Sequence, residues 1–269
     1  MLSSIGWGLR CWAGTPYKLA QSVPMLMNNT TMAQGAKGAY NASFRALGQQ
    51  LVANGQADAY LRVGWEFNGN WYSWAAAANP SIFKAYFRQI VYSLRSAKGQ
   101  HFRIVWNPAA GQQQIEASLA YPGDDVVDVI GLDIYNACWR PQDVGNAQVR
   151  WNNLVTQQNG LTWLHDFAKR HRKPIAFPEW GTGTRPDGHG YGDDPLFINN
   201  MAKWIADNNV VYQSYWDYAA WDYNSEMSGR QNAANRCRLQ DEFRCAHPDA
   251  VTRSPVGYVP ARAPPRRGA

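Results

Sequence analysis

Apolar runs and longer amphipathic stretches alternate along the chain, and this alternation is typical of parallel β/α units. Six short apolar runs predict strands, and they lie at Ser22–Met27, Ala59–Glu66, Phe102–Asn107, Val127–Tyr135, Pro174–Glu179 and Val210–Trp216. Apolar positions recur at helical spacing in four stretches between these runs, at Tyr40–Ala53, Pro80–Ala97, Trp151–Arg172 and Pro195–Asn208. A polar helix near Asn232–Phe243 is expected after the last strand. The pattern therefore predicts an α/β fold of the (β/α)8 TIM-barrel type, with six of the eight strands of a closed barrel.

Length and composition predict one domain with a short tail. The 269 residues suit a single large α/β domain. From Pro248 onward the composition turns to proline, arginine, glycine and alanine. We therefore expect a barrel domain over residues 1–247 and a disordered tail over residues 248–269.

The net charge of +6 does not indicate a nucleic-acid partner. Half of it comes from the tail, where four arginines face one aspartate, and the rest of the chain has no stripe of lysine and arginine that could follow phosphates. No apolar run of 18 residues is present, so no membrane helix is expected. The first residues also lack the charged and apolar regions of a signal peptide.

Four cysteines, at positions 11, 138, 237 and 245, form no CxxC pair and have no metal-ligand spacing with the five histidines. Cys237 and Cys245 are close enough in sequence for a disulfide, and free thiols are an equal alternative. The cysteines therefore predict no metal site.

Carboxylates, amides and aromatic rings gather where the predicted strands end, which is where parallel β/α folds carry their reactive residues. These residues are Glu66, Asn68, Trp106, Asn107, Asp133, Tyr135, Glu179, Trp180, Trp216 and Asp217. The ends hold no cluster of cysteine and histidine, and the chain has no GxSxG turn and no glycine-rich phosphate loop. We therefore expect carboxylate chemistry without a metal or a cofactor.

Strand alternation places Arg62, Gly64 and Glu66 on one face of their strand. An arginine that points inward beside a carboxylate needs a partner, because burial of an unpaired charge is costly. We expect Arg62 to contact Asp133 or Glu179. The alternative is a strand at the edge of the sheet, with Arg62 in solvent.

Cleavage of a glycosidic bond requires two carboxyl groups, one that protonates the leaving oxygen and one that attacks the anomeric carbon. Glu66 suits the first role, because the rings of Trp65, Phe67 and Trp71 provide an apolar setting that keeps a carboxyl group protonated. For a retaining reaction the two carboxyl groups should lie about 5–5.5 Å apart.

Glu179 suits the second role, in which the carboxylate must remain ionised. A tyrosine hydroxyl or a guanidinium beside it would favour the ionised form, and Tyr135 and Arg62 are the candidates. Alternation along its strand also predicts that Glu179 shares a face with Phe177 and Ile175.

At these residues the sequence resembles glycoside hydrolase family 26, a family of retaining (β/α)8 glycosidases. The resemblance runs from about Ser4 to Phe243, and its motifs are Glu-x-Asn-Gly-x-Trp at Glu66, Gly-x-Asp-x-Tyr at Gly131 and Glu-Trp-Gly at Glu179. It implies that Glu66 is the acid/base, that Glu179 is the nucleophile and that Tyr135 hydrogen-bonds the nucleophile. Trp216 best matches the aromatic residue under the reacting sugar.

The family resemblance implies hydrolysis of a β-linked polysaccharide of the mannan or glucan type by a monomeric extracellular enzyme without a cofactor. The substrate-contacting residues that we expect are Arg62, Trp65, Asn68, Trp71, Trp106, Asp133, Tyr135, Trp180 and Trp216. A non-catalytic or decayed carbohydrate-binding relative is the alternative.

Two features depart from the family pattern. Trp65 occupies a position where many members have histidine, which leaves mannan specificity open. If the strand before Glu66 is the fourth of the barrel, the first two β/α units are absent, and we expect an N-terminal truncation.

Overall fold

The structure, a computed structural model, describes Leu9, residues 12–139 and residues 145–227. The predicted helix near Asn232–Phe243, the tail and three of the cysteines (Cys11, Cys237 and Cys245) lie outside the described residues.

Six parallel strands form one sheet, and their order in the sheet follows their order in the chain. The strands are β1 (Ala20–Val23), β2 (Tyr60–Val63), β3 (Arg103–Trp106), β4 (Val129–Tyr135), β5 (Ile175–Gly181) and β6 (Val210–Tyr215). Parallel neighbours joined by helical crossovers are the repeating unit of β/α folds. The α/β prediction and the six predicted strands are confirmed.

Helices connect the strands. They are α1 (Met32–Ala36), α2 (Asn41–Ala53), α3 (Pro80–Arg95), α4 (Ala147–Thr156), α5 (Leu161–His171) and α6 (Pro195–Asp207), with one 3₁₀ turn at Ala117–Ala120. Asn79 and Asp194 cap α3 and α6, and each is followed by a proline at the first helical position. No helix in the described ranges has the length and apolar character that crossing a membrane requires.

The first predicted strand and the third predicted helix differ from the structure. The first strand lies at Ala20–Val23, earlier than predicted, and Pro24 follows it without a backbone donor to continue the ladder. The single helix predicted over Trp151–Arg172 is wrong, because α4 and α5 are separate. Asn159 between them has a φ of 50°, and a Cβ at Gly160 would lie 2.6 Å from a backbone carbonyl oxygen.

The sheet is strongly curved, so that distant strands face each other across its concave side. In a flat sheet β2 and β6 would be about 19 Å apart, at roughly 4.8 Å for each of four spacings. The rings of Tyr60 on β2 and Tyr212 on β6 nevertheless lie 4.8 Å apart. They pack on an inner cluster formed by Val105, Val129 and Ala176. The larger core lies on the convex side, between the sheet and the helices, as in a (β/α) barrel.

Candidate active site

Glu66 lies in a tight turn directly after β2. Its φ is 51° and that of Gly64 is 53°, so both residues adopt the left-handed conformation. A Cβ at Gly64 would lie 2.3 Å from the sulfur of Met25, which explains the glycine. The N–H of Glu66 donates to the carbonyl of Asn107 at 2.7 Å and ties the turn to the end of β3. The strand predicted over Ala59–Glu66 is therefore too long at its end.

A β-bulge in β5 places Glu179. Gly131 of β4 pairs with Ala176 of β5, and Asp133 of β4 pairs with Glu179. The single residue of β4 between these pairs thus lies opposite two residues of β5, so β5 carries one extra residue. Pro178, which has no backbone donor, lies within the extra span.

The bulge overturns the face predicted for Glu179. Phe177 packs against Trp204 of α6 with a ring separation of 5.3 Å, and Ile175 belongs to the outer core. Ala176 belongs to the inner cluster. Glu179 lies three residues after Ala176 and still shares its inner face, because the extra residue reverses the alternation.

A buried network of hydrogen bonds joins four strands, β1, β2, β4 and β5. The guanidinium of Arg62 donates to both carboxylate oxygens of Asp133, at 3.0 and 3.1 Å, and to Oε1 of Glu179 at 2.5 Å. Its Nε donates to the hydroxyl of Ser22 at 3.1 Å. The hydroxyl of Tyr135 donates to Oε2 of Glu179 at 3.0 Å. The predicted contacts of Arg62 with the carboxylates are confirmed.

The network surrounds the side chain of Glu179 with hydrogen-bond donors. Burial disfavours the charged guanidinium, but the charges of Asp133 and Glu179 outweigh it and raise the pKa of Arg62 above its ordinary value. Burial, with the adjacent charge of Glu179, raises the pKa of Tyr135 well above its ordinary value. Arg62 therefore stays charged and Tyr135 stays a donor, and both donate hydrogen bonds to Glu179.

We expect Arg62→Met to destabilise the fold by about 3–5 kcal/mol at pH 7.5, because it leaves the buried carboxylate of Asp133 without its cation. That carboxylate then binds a proton more readily when folded than when unfolded, so the loss should be smaller at pH 5. Denaturant unfolding at the two pH values measures it. Arg88→Met removes an exposed ion pair with Asp125 and should cost no more than about 1 kcal/mol. If Arg62→Met and Arg88→Met lower the free energy of unfolding equally, Arg62 is not the cation that stabilises the buried carboxylate of Asp133.

The two glutamates are close enough to act on one bond. One carboxylate oxygen from each of Glu66, Asp133 and Glu179 lies within 4.8 Å of the others. Glu66 and Glu179 thus fit the roughly 5–5.5 Å separation of retaining glycosidases, and inverting enzymes need roughly 6.5–9.5 Å.

Three carboxylates at this distance could also hold a cation. Arg62, however, already donates to Asp133 and Glu179 and supplies the positive charge that a metal ion would bring.

Glu66 has an environment opposite to that of Glu179. Burial, and next the charge of Glu179, raise the pKa of Glu66 to about 7. The indole Nε1 of Trp71 donates to its Oε2 at 2.6 Å and lowers the pKa in part. Near neutral pH Glu66 can therefore hold a proton and release it, which general acid/base catalysis requires.

Aromatic rings form one wall of the site. Trp65 lies 5.1 Å under the guanidinium of Arg62 and packs on Tyr72 and Trp74. Tyr72 and Trp74 stack nearly parallel, 4.6 Å apart, and Nε1 of Trp74 donates to the carbonyl of Trp65. Trp71 is half exposed, so its ring is open to a ligand. Trp65 and Trp71 thus lie at the site as expected.

Three residues expected to contact substrate have other surroundings. Trp106 is fully buried and packs between Phe67 and Phe167 beneath α5, so it has no surface to offer a sugar. Trp180 is also fully buried. The amide of Asn68 is buried and exchanges hydrogen bonds with the backbone of the loop after β3. These three expectations are corrected, because each side chain is occupied by the fold.

Trp216 follows β6 and is half buried, with its ring edge-on to Tyr218 at 5.8 Å. Its contact with a sugar remains a prediction. Sequence reasoning missed Tyr223, which is buried and packs 5.0 Å from Tyr135. Tyr223 lies in an irregular segment with no periodic signal, and a bridge between Thr184 and Asn224 helps to hold that segment near the site.

The sequence is similar to those of several known proteins. The sequence model of glycosyl hydrolase family 26 matches residues 32–169, just over half of the chain. A mannan endo-1,4-beta-mannosidase of Bifidobacterium adolescentis is 31% identical over 160 residues, which are 56% of this chain and 15% of that protein. A beta-1,3-xylanase of an Alcaligenes species is 30% identical over 149 residues, which are 54% of this chain and 27% of that protein. The chain thus spans well under half the length of both relatives.

A solved structure shares the fold. The catalytic domain of an endo-beta-1,4-mannanase from Bacillus sp. JAMB-750 superposes with a TM-score of 0.62 at 21% identity. The match covers 92% of this chain and 70% of the mannanase domain.

Proposed function

Because the chain belongs to glycosyl hydrolase family 26, we propose that it hydrolyses β-linked polysaccharides of the mannan or glucan type with retention of configuration. The observation that carries this proposal is the pair of nearby carboxylates with opposite environments. Glu66 has a pKa raised to about 7, and Glu179 receives hydrogen bonds from Arg62 and Tyr135. A proton donor and an ionised nucleophile within 4.8 Å are what double displacement needs.

In the first step, a carboxylate oxygen of Glu179 attacks the anomeric carbon while Glu66 donates its proton to the leaving glycosidic oxygen. The bond to the leaving sugar breaks and a covalent glycosyl–enzyme ester forms. Arg62 and Tyr135 hold the attacking carboxylate in place, so little reorganisation accompanies the attack.

In the second step, Glu66 is a carboxylate and removes a proton from a water molecule, which attacks the same anomeric carbon. The ester bond to Glu179 breaks, and the sugar is released with its original configuration. The pKa of Glu66 decreases after the first step, because the negative charge of Glu179, which helps to raise it, is absent in the ester.

The substrate test is the release of reducing ends from mannan, glucomannan, mixed-linkage glucan, β-1,4-xylan and β-1,3-xylan. We expect release from one or more of them, since the relatives are named for mannan and β-1,3-xylan. The matched blank is the double variant Glu66→Gln, Glu179→Gln, which keeps the volume of both side chains. If folded protein and blank release the same amount from every polymer, the hydrolase proposal is wrong, and retention of a polymer would then favour a binding protein.

Acid catalysis by Glu66 predicts a specific pH response. Activity should fall as the pH rises through about 7, because Glu66 loses its proton there. Trp71→Phe keeps a ring and removes the donor to Glu66, so the pKa of Glu66 should rise and the alkaline limb of kcat/KM should move to higher pH. Trp221→Phe, on the most exposed tryptophan described, is the control and should leave the limb in place. If the alkaline limb of kcat/KM does not move in Trp71→Phe, the limb does not report the loss of the proton from Glu66.

We further propose that the enzyme works as an extracellular monomer, because a polymeric substrate has to be shortened before it can enter a cell. Size-exclusion chromatography of the full chain tests whether it is a monomer, and assay of culture supernatants tests whether it is extracellular.

A further inference from the structure

Trp139 is an exposed tryptophan that the catalytic site does not use. It lies four residues beyond the end of β4, and 61% of its surface is accessible. A single exposed apolar residue needs no explanation. Trp139 differs because neighbouring side chains hold its ring in a fixed orientation.

The ring of Trp139 is supported by two anchored residues. His189 stacks on it with a ring separation of 5.2 Å and an interplanar angle of 19°. The guanidinium of Arg185 lies 5.3 Å from the ring centre. His189 is fixed by Cys138, since the two residues share a backbone hydrogen bond of 3.1 Å and Nδ1 of His189 lies 2.8 Å from the carbonyl of Cys138. Asp187 binds Arg185 through two guanidinium nitrogens and also accepts from the N–H of His189.

Trp139 remains largely accessible beside these contacts, with 61% of its surface exposed. The hydrogen-bonding groups of Arg185, His189 and Asp187 lie next to the indole. The surface is thus a flat apolar plane with donors and acceptors at its edge.

The stack is connected to the catalytic pair by a short series of contacts. Arg185 lies 5.9 Å from the ring of Tyr223, and Tyr223 packs 5.0 Å from Tyr135, which bonds to Glu179. Three residues of chain lie between Tyr135 and Trp139, and the four residue steps limit their Cα separation to about 14 Å. A chain of a few sugars bound at the carboxylates can therefore reach Trp139.

We propose that Trp139 is the platform of an outlying sugar subsite, on which the apolar face of one residue of a bound polysaccharide stacks. Pyranose rings present an apolar C–H face edged by hydroxyl groups, and this matches the indole plane with its polar edge. This inference rests on the proposed function and adds a residue that engages only long substrates.

Substrate length provides the kinetic test. Trp139→Ala should lower kcat/KM on the polymer about tenfold through KM, with kcat nearly unchanged. An aryl glycoside of a single sugar fills only the position at the catalytic carboxylates, so its kcat/KM should not change. Tyr92→Ala is the matched control, because Tyr92 is 49% exposed and also packs under an arginine, but on the outer side of α3. Equal losses on the two substrates would overturn the subsite.

Binding without turnover provides the second test. The gels contain the soluble polymer that the wild type hydrolyses or binds best. Glu179→Ala protein should be retarded in these gels. The double variant Glu179→Ala, Trp139→Ala should be retarded less. Unchanged retardation overturns the subsite alone. Wild-type protein that neither hydrolyses nor is retained by any polymer overturns the proposed function, and the subsite with it.

Discussion

Glu179→Ala is expected to lower kcat on polysaccharide by about 10⁴-fold or more, because it removes the atom that forms the covalent intermediate. The fold should persist, since the guanidinium of Arg62 keeps both hydrogen bonds to Asp133. Asp166→Ala, on the exposed side of α5, is a control that should retain full activity.

The product formed with added azide distinguishes loss of the nucleophile from general damage. The space left by the carboxylate of Glu179 admits a small anion, which would displace an activated leaving group directly. One displacement inverts the anomeric carbon, so NMR should detect an α-glycosyl azide from a β-linked substrate. A β-azide from Glu179→Ala would contradict the assignment.

Glu66→Ala is expected to lower activity by about 10²–10⁴-fold on polysaccharide, where the leaving sugar needs a proton. A dinitrophenyl glycoside has a leaving group that departs without a proton, so formation of the glycosyl–enzyme should be nearly as fast as in the wild type. Loss of the base then slows the second step, and the intermediate should accumulate. A burst of dinitrophenol followed by slow turnover measures both effects.

With Glu66→Ala, added azide should give a product of the opposite anomeric configuration to that from Glu179→Ala. Glu179 still forms the ester, and azide attacks in place of water, so two displacements give a β-glycosyl azide. Equal losses on the polymer and on the dinitrophenyl glycoside, with no burst, would show that Glu66 does not act on the leaving group. The two variants thus identify the two roles by the configuration of one product.

The sequence predicts the composition of the site better than its geometry. The carboxyl ends of parallel strands converge, so residues at predicted strand ends such as Glu66, Tyr135 and Glu179 could be expected to meet. The cost of burying a charge was enough to pair Arg62 with Asp133 and Glu179, as the structure confirms.

Local backbone exceptions could not be predicted from periodicity. The strand pattern continues past Gly64, although its left-handed backbone ends the strand. The Asn159-Gly160 pair carries a turn signal, although the apolar spacing continues on both sides of it. The ring of a tryptophan at a strand end can point toward the catalytic site or toward the helices. Residues distant in sequence determine its direction. Trp106 points to the helices because Phe67 and Phe167 surround it there.

The extra residue in β5 makes the position of Glu179 depend on the length of the strand more than on its composition. Replacing Pro178 by another residue leaves two residues between the pairing positions of Ala176 and Glu179, so the carboxylate still faces inward. Deleting it restores strict alternation and turns the carboxylate toward α6 and the outer core. Among relatives of this chain, a deletion of one residue just before the glutamate would therefore abolish the site even where every catalytic side chain is retained, and an alignment that reads only identities would miss the loss.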